Sequence, residues 1–424
     1  MNKPSITEKT NMNIFIENIE YESEHITPPI TIKTNKKNVI ITGGNGCGKT
    51  SFLDKLNNKI VDQCVQKNHN QEESLKQRIN YYRKQLQENA RGTQEHSQAK
   101  RSLAYTEKEI EKYNNGLVVE FNDINEFTAS LEEGKAIYKF FIATRTASIQ
   151  ESSGASKVSL EEKIEQGLAH NQTFNLGAEF ENHLVNMKTR QSFAKTYDND
   201  THLYNSLQRW FDDLESNISF LMEDDSFRLT FDPNRFKFYL NQNGKAPYTF
   251  QTLSSGYSSI FSIISELIMM TEAYKTSPSE LQGIVLVDEI DAHLHVSLQR
   301  KILPFLTRVY PKIQFIVSTH SPFVIGSLDD AIIYDMSSRQ QFSDLSNYSY
   351  ESIIEGLLGV PVVSISLEKD IKRLSALINN ENTDIVAIKE LVDKLIPHEE
   401  KLDDESAVFF LKARRVLRDN KGGI

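Results

Sequence analysis

The chain has 424 residues with 58 acidic side chains against 48 Lys and Arg, a formal charge of −10, which excludes wholesale electrostatic binding to nucleic acid while allowing a local basic patch. At 39% hydrophobic and 25% charged it supports packed cores in about two or three domains and is not a wholly disordered chain. Its two cysteines, Cys47 and Cys64, exclude a disulfide framework and fit a reducing compartment. Met1–Asn11 lacks the apolar segment of a secretion signal. The richest apolar stretch, Ile260–Met270, is too short to span a bilayer and carries Ser262, Ser265 and Glu266. The expectation is a soluble, cytoplasmic protein with no membrane partner.

In chain order, Met12–Glu20, Ile30–Thr34 and the apolar run Asn38–Thr42 read as strands. The third runs into a glycine-rich loop and then a helical pattern over Phe52–Val61. From Asn68 to Asn115 glycine and proline nearly vanish. Leu75, Ile79, Tyr82 and Leu86, then Ala99, Leu103, Thr106, Ile110 and Tyr113, repeat at spacings of three and four around a break at Arg91-Gly92-Thr93. That pattern predicts two antiparallel helices forming a short coiled-coil hairpin, each arm reaching about 25–30 Å. Its charges are mixed in sign, unlike a dedicated DNA grip.

Leu117–Phe121 and Ala136–Ala143 read as strands, followed by an inserted helical region to about Glu223. Phe227–Leu240 alternates as a strand, with Asn241-Gln242-Asn243-Gly244 as a hairpin turn. A helix is expected from near Ser258. Buried strands are expected at Gly283–Val287, Gln314–Ser318 and Ala331–Asp335, then about three amphipathic helices beyond Tyr348.

The chemistry concentrates in three places. Gly43-Gly44-Asn45-Gly46-Cys47-Gly48-Lys49-Thr50-Ser51 contains G-x-x-x-x-G-K-T between a strand and a helix. Its backbone N–H groups can cradle the α- and β-phosphates of a nucleotide, Lys49 can reach the β- and γ-phosphates, and the Thr50 hydroxyl can ligate Mg²⁺. The apolar run Ile284–Val287 delivers Asp288 and Glu289 to the end of a strand. There Asp288 would hold Mg²⁺ and Glu289 would orient or deprotonate the attacking water. A third strand delivers His320 within Ser318-Thr319-His320-Ser321-Pro322, where a neutral imidazole could hydrogen-bond the γ-phosphate. The glycine-loop match is a nucleotide site in its own strand-to-helix context, whereas the strand-end carboxylates and His320 are weak alone and gain weight from the motifs around them.

Together these segments resemble the Walker A, Walker B and switch histidine of an ABC-class ATPase head. Leu253-Ser254-Ser255-Gly256-Tyr257 is similar to the class signature L-S-G-G-Q, with Ser255 for the first glycine and Tyr257 for the glutamine. The resemblance implies an α/β fold and ATP with Mg²⁺ as cofactors. It further implies that Ser254, Ser255 and Gly256 cap ATP bound to Lys49 of a second copy, in a head-to-head dimer. Lys49 and Asp288 lie 239 positions apart with long inserts between, a layout similar to the SMC and RecF-like branch. The run Asp288-Glu289-Ile290-Asp291-Ala292-His293-Leu294-His295 resembles the D-E-x-x-x-H-L-H of the AAA_15/AAA_21 ATPases. These include OLD-family nucleases and the anti-phage ATPases of the Septu and PARIS systems.

By the same resemblance the head is split by inserts. It would comprise an N-terminal lobe over 1–64, a coiled-coil hairpin over 65–116, head strands over 117–145, a helical insert over 146–225, a C-terminal lobe over 226–340 and a helical tail over 341–424. His293 and His295 fit a dimer-interface loop better than a metal pair, since on a helix they would point about 200° apart. Arg145 and Gln150 follow a strand end where the class has its Q-loop. The tail shows no Asp-x-Asp of the TOPRIM kind, so no nuclease site is expected here. The resemblance then implies an ATPase that serves as sensor and scaffold for a separate effector, an HNH or TOPRIM-type nuclease or a toxin. Its trigger, DNA or a phage protein, stays open, as do assemblies beyond the dimer. The alternative is a DNA-repair or chromosome-maintenance ATPase of the RecF/SMC type.

Overall fold

The computed structural model describes residues 13–421 except 24–25, 67, 115, 153, 156–174, 362 and 381–383. The expected strand start at Met12, the segment Met1–Asn11, and residues 156–174 of the expected helical insert lie outside the described residues. The first strand, β1 (Ile16–Ser23), pairs antiparallel with β2 (Ile26–Lys33) and, on its other side, with β4 (Leu117–Phe121). Between them in sequence come β3 (Asn38–Thr42), α1 (Lys49–Ile60) and the helical pair α2 (His69–Glu88) and α3 (Gln94–Asn114).

A second sheet forms the base of the site. Its strand order is β11-β10-β3-β9-β8-β5, using β5 (Ala136–Phe141), β8 (Gln282–Val287), β9 (Lys312–Ser318), β10 (Ala331–Asp335) and β11 (Gln340–Ser343). Only β11 runs antiparallel to its neighbour; the other pairings are parallel. Residues of β3, β8, β9 and β10 are almost all buried, as their near-continuous apolar runs require of strands covered on both faces. Register then places the chemistry. Thr42 pairs with Asp335, Ile41 with Ser318, and Val287 with both Val317 and Phe141. The loops after β3, β8, β9 and β10 therefore leave one edge together, where ligands bind open α/β sheets.

One apolar cluster joins both sheets to α1 through Phe52, Leu53, Leu56 and Ile60, spaced to line one helix face; each such buried side chain is worth about 1.5–3 kcal/mol. Buried Gln314 of β9 stitches the sheets as well, accepting from the Ile16 N–H at 2.8 Å. A single π-turn, Val61–Val65, carries α1 on toward α2. The α2–α3 pair buries Leu75, Ile79, Ala99 and Thr106 along its seam. Its antiparallel sense is marked by the ion pairs Arg83–Glu107 and Arg78–Glu109.

A second cluster gathers α5 (Phe180–Thr196), α6 (Thr201–Met222), β6 (Arg228–Asp232), β7 (Lys237–Asn241) and α7 (Ser255–Ala273). Here the expected single strand over Phe227–Leu240 is a hairpin, because Asp232 Oδ1 accepts from Asn234 N–H and Arg235 N–H after Pro233 and turns the chain. The turn at Asn241–Gly244 closes only one bridge, Leu240 to Tyr248. Helices α4 (Ile124–Glu132), α8 (Val296–Val309) and α9 (Pro322–Ile325) complete this unit.

Residues 351–424 make a second compact unit. After the short α10 (Tyr350–Gly356), three helices, α11 (Ile365–Ile378), α12 (Ile385–Leu395) and α13 (Asp404–Lys421), meet around Leu374, Ile388, Leu395, Phe410 and Ala413. Among the described residues no helix is long and apolar enough to cross a membrane.

Candidate nucleotide site

The loop after β3 takes the backbone shape its glycines permit. Gly43 has φ 135°, Gly46 78° and Gly48 94°, all in the left-handed region that side chains disfavour. Space is also short at Gly43: a Cβ there would lie 2.9 Å from Cys47 Sγ, 3.0 Å from Ser337 Oγ and 3.1 Å from Asp335 Oδ1. Ser337 in turn accepts from the Gly44 N–H at 2.8 Å, and buried Asp335 accepts from the N–H groups of Ser337 and Ser338. The β10–β11 turn thus braces the loop. Helix α1 starts directly at Lys49 with no acidic residue in its first turn, leaving its positive end uncompensated.

Lys49 is buried, and its ammonium folds back over the loop, donating to Gly43 O at 3.0 Å and Gly44 O at 3.3 Å. It also lies 3.5 Å from His320 Nδ1. Burial, then the Lys49 charge, pushes the His320 pKa below its ordinary value, so the imidazole is neutral at pH 7. The sequence expects His320 to hydrogen-bond the γ-phosphate; the structure places its ring beside Lys49.

Asp288 is buried and accepts from Ser318 Oγ, while the same hydroxyl accepts from the Glu289 N–H at 2.7 Å. Glu289 has φ 45°, a left-handed backbone that costs a non-glycine residue about 1–3 kcal/mol and persists only where surroundings hold it. They do so here through Arg145. This buried guanidinium donates from Nη1 to Asp288 O at 2.7 Å and Ile142 O at 3.2 Å. From Nη2 it donates to Glu289 O at 3.0 Å and Ile290 O at 3.1 Å. Burial lowers its pKa to about 10, opposed by the neighbouring Asp291, Asp288 and Glu289, so it keeps its charge at neutral pH. The sequence suggests Arg145 for a Q-loop role; the structure gives it to the turn after β8. Gln150, the other candidate, has its backbone N–H on Ala178 O.

The signature-like turn opens α7. Ser254 occupies the N-cap position but makes no side-chain cap bond, and it and Ser255 are exposed. Gly256 sits against the turn that follows Glu289, since a Cβ there would lie 2.7 Å from His293 O. Tyr257, where the class has glutamine, packs half-buried on the apolar cluster around α7. His293 lies in the turn after β8 and His295 is the N-cap residue of α8, so neither sits within a helix. His295 Nδ1 is 3.2 Å from Ser297 Oγ, and among the described residues no group of three or more His, Cys, Asp or Glu could hold a metal.

These residues fit ATP with Mg²⁺. Free backbone N–H groups at the start of α1 and the Lys49 ammonium match a polyphosphate. Exposed Thr50 in the first turn and Asp288 are hard oxygen donors, too few for an all-protein cage, so Mg²⁺ would arrive with its phosphate and water ligands. Asn45 and Gly46 are exposed at the loop tip, and Cys47 and Gly48 are half-buried beside it. Ser51 lies exposed on α1.

A family profile described as "AAA domain, putative AbiEii toxin, Type IV TA system" matches residues 39–326. The chain belongs to this family, AAA_21. Among curated proteins it is similar to the "Retron Ec83 probable ATPase" of Escherichia coli, 39% identical over 93 residues, 21% of this chain and 17% of that one. It is also similar to the "Septu protein PtuA" of Bacillus mycoides (strain KBAB4), 36% identical over 112 residues, 26% of this chain and 16% of that one. The matches thus span less than a fifth of either relative. Among solved structures, an Smc head bound to the C-winged helix domain of ScpA aligns at 16% identity and a TM-score of 0.37, over 78% of this chain and 98% of that one.

Proposed function

We propose that the chain hydrolyses ATP at composite sites in a head-to-head dimer and serves as sensor and scaffold for a separate effector in bacterial anti-phage defence. The observation that carries the catalytic half is the convergence, at one sheet edge, of Lys49 beside a neutral His320 with Asp288 and Glu289 on the adjoining strand end. Bound ATP with Mg²⁺ supplies the scissile phosphoanhydride and neutralises its charge. Lys49 and the α1 N-terminus hold the phosphates, and Thr50 and Asp288 hold the metal. His320 offers a hydrogen bond without added charge, and Glu289 takes the proton of the attacking water. The exposed Ser254, making no cap bond on α7, supports a role across a dimer interface. The effector and the defence role are supported by the likeness to segments of the retron and Septu proteins.

The test uses Lys49→Ala, Glu289→Gln and Ser254→Arg. Lys49→Ala should lose nucleotide binding, and Glu289→Gln should bind ATP yet release phosphate at least about a hundredfold more slowly. Ser254→Arg and Lys49→Ala, each inactive, should regain activity when mixed, because one composite site of the mixed dimer stays intact; no recovery despite mixed dimers refutes the shared site. Purifying Glu289→Gln with ATP and Mg²⁺ from its host then tests the effector. A stoichiometric nuclease or toxin supports the reading, whereas repair factors and DNA alone would favour a RecF/SMC-type role.

A further inference from the structure

The turn after β8 is pinned on every side. Its N–H groups are taken by Ser318, through Glu289 N to Oγ and Ile290 N to O, and by Phe141 O, which accepts from Asp288 N. Its three successive carbonyls, those of Asp288, Glu289 and Ile290, converge on the two terminal nitrogens of Arg145. Three carbonyl dipoles aimed at one buried point repel one another unless a cation stands there. A planar fork with two terminal NH₂ groups spans them in a way a single ammonium does not. With that cation gone, the three carbonyls lose their common donor and only the N–H bonds to Ser318 and Phe141 remain, so the left-handed backbone at Glu289 relaxes on its carbonyl side and its side chain turns with it. Among the described residues, the hydrogen bonds of Arg145 go to residues 142 and 288–290, and none reaches the phosphate loop.

We propose that Arg145 is the positioning residue for hydrolysis: by tying the carbonyls of Asp288, Glu289 and Ile290 it fixes the Glu289 carboxylate in line with the water it activates, while leaving nucleotide capture to Lys49. The inference rests on the reading of Glu289 as general base. It separates two steps that the loop after β3 alone would join. Binding depends on β3 and α1, and bond cleavage depends on a loop leaving β5.

The experiment compares Arg145→Lys and Arg145→Ala in the wild-type and Glu289→Gln backgrounds, using a fluorescent ATP analogue for binding and single-turnover phosphate release for hydrolysis. Both variants should bind nucleotide within about twofold of wild type and lose roughly a hundredfold in kcat with little change in KM, the loss expected for a reacting group displaced by about 1 Å. In the Glu289→Gln background Arg145→Ala should cost nothing further, since residues acting as one unit are non-additive. Guanidinium ion at tens of millimolar should restore part of the Arg145→Ala rate. Should Arg145→Ala fail to fold, Arg145→Lys carries the same test. Wild-type kcat in either variant, loss of binding along with rate, or a loss that multiplies with Glu289→Gln would each overturn the proposal. Wild-type protein that hydrolyses no ATP, or Glu289→Gln that turns over normally, would overturn the general-base reading first, and those two controls identify that failure without any Arg145 variant.

Discussion

Replacing Lys139 by methionine would strand a buried carboxylate. Glu266 of α7 is 1% exposed and its Oε1 is paired with Lys139 of β5 at 2.5 Å. Its Oε2 accepts from the Gly177 N–H at 2.6 Å. Gly177 is a glycine of necessity, because a Cβ would lie 2.6 Å from Ser265 Oγ and 3.0 Å from Glu266 N. One ion pair therefore ties β5, α7 and the turn at residues 176–179. Methionine fills the lysine's volume, so the loss is electrostatic rather than a cavity, and breaking one side of a buried pair costs about 3–5 kcal/mol. At a urea dependence of about 3 kcal/mol per molar for a unit this large, the midpoint should fall by about 1–1.7 M. The probe is built in. Trp210, the single tryptophan, donates from Nε1 to Glu272 Oε1 of α7 at 3.0 Å, so its fluorescence follows the same layer. Lys139→Met with Glu266→Gln should recover at least about half of the loss, since a neutral amide oxygen still accepts from Gly177 and no charge is left unpaired. A Lys139→Met midpoint within about 0.3 M of wild type would refute the argument that this pair carries the junction.

Gly43→Ala must place a Cβ within 3.1 Å of three side-chain atoms at φ 135°; nucleotide affinity by titration calorimetry should fall at least about tenfold, and wild-type affinity would show that the loop tolerates a different shape. His320 has its pKa lowered by burial and by Lys49, so below about pH 6.5 the unfolded chain binds a proton the folded one resists, and stability declines as pH falls toward the folded pKa. The melting-temperature difference between the nucleotide-free wild type and His320→Gln should then change steadily from pH 7.5 to 5.5, and a constant difference would count against it. Tyr113→Phe removes the donor to Asp62 Oδ2 at 2.8 Å and Asn68 O at 3.1 Å. That should destabilise the hairpin root by about 1.5–3 kcal/mol, read as faster amide exchange at residues 62–68; unchanged exchange would place the anchor elsewhere.

How much of the fold and site is legible in the sequence depends on whether a residue's partners lie near it along the chain. The phosphate loop announces itself because glycines, Lys49 and Thr50 sit within eight positions and a buried strand precedes them. The apolar runs of β3, β8, β9 and β10 are equally plain, since strands covered on both faces leave little room for polar residues. Helix α8 does not declare itself: Pro304 lies inside it, and an interior proline reads as a breaker. Helix α4 is nine residues capped by Asp123, whose side chain accepts from Glu126 N, too short for periodicity to show. The hairpin at Pro233 is hidden inside an alternating run whose period continues through the turn. Arg145 marks the deeper limit. Three of its acceptors are backbone carbonyls about 145 positions away, and carbonyls carry no side-chain signature. Ser318, shared between Asp288 and the Glu289 amide, reads in the sequence only as a neighbour of His320.

The root of the helical pair has a mechanical consequence. Helix α1 runs on through one π-turn, Val61–Val65, toward α2, which begins at His69. The junction is then bolted by the Asp62–Asn68–Tyr113 hydrogen bonds and by Lys59 held between Glu72 and the Tyr113 ring. A bolt of this kind makes the pair an oar and the helix behind the phosphate loop its handle. The twenty residues of α2 give an arm of about 30 Å, so turning the handle by about 10° sweeps the tip through about 5 Å. A shift too small to notice at the phosphates would be, at the far end of the arm, as large as one turn of helix.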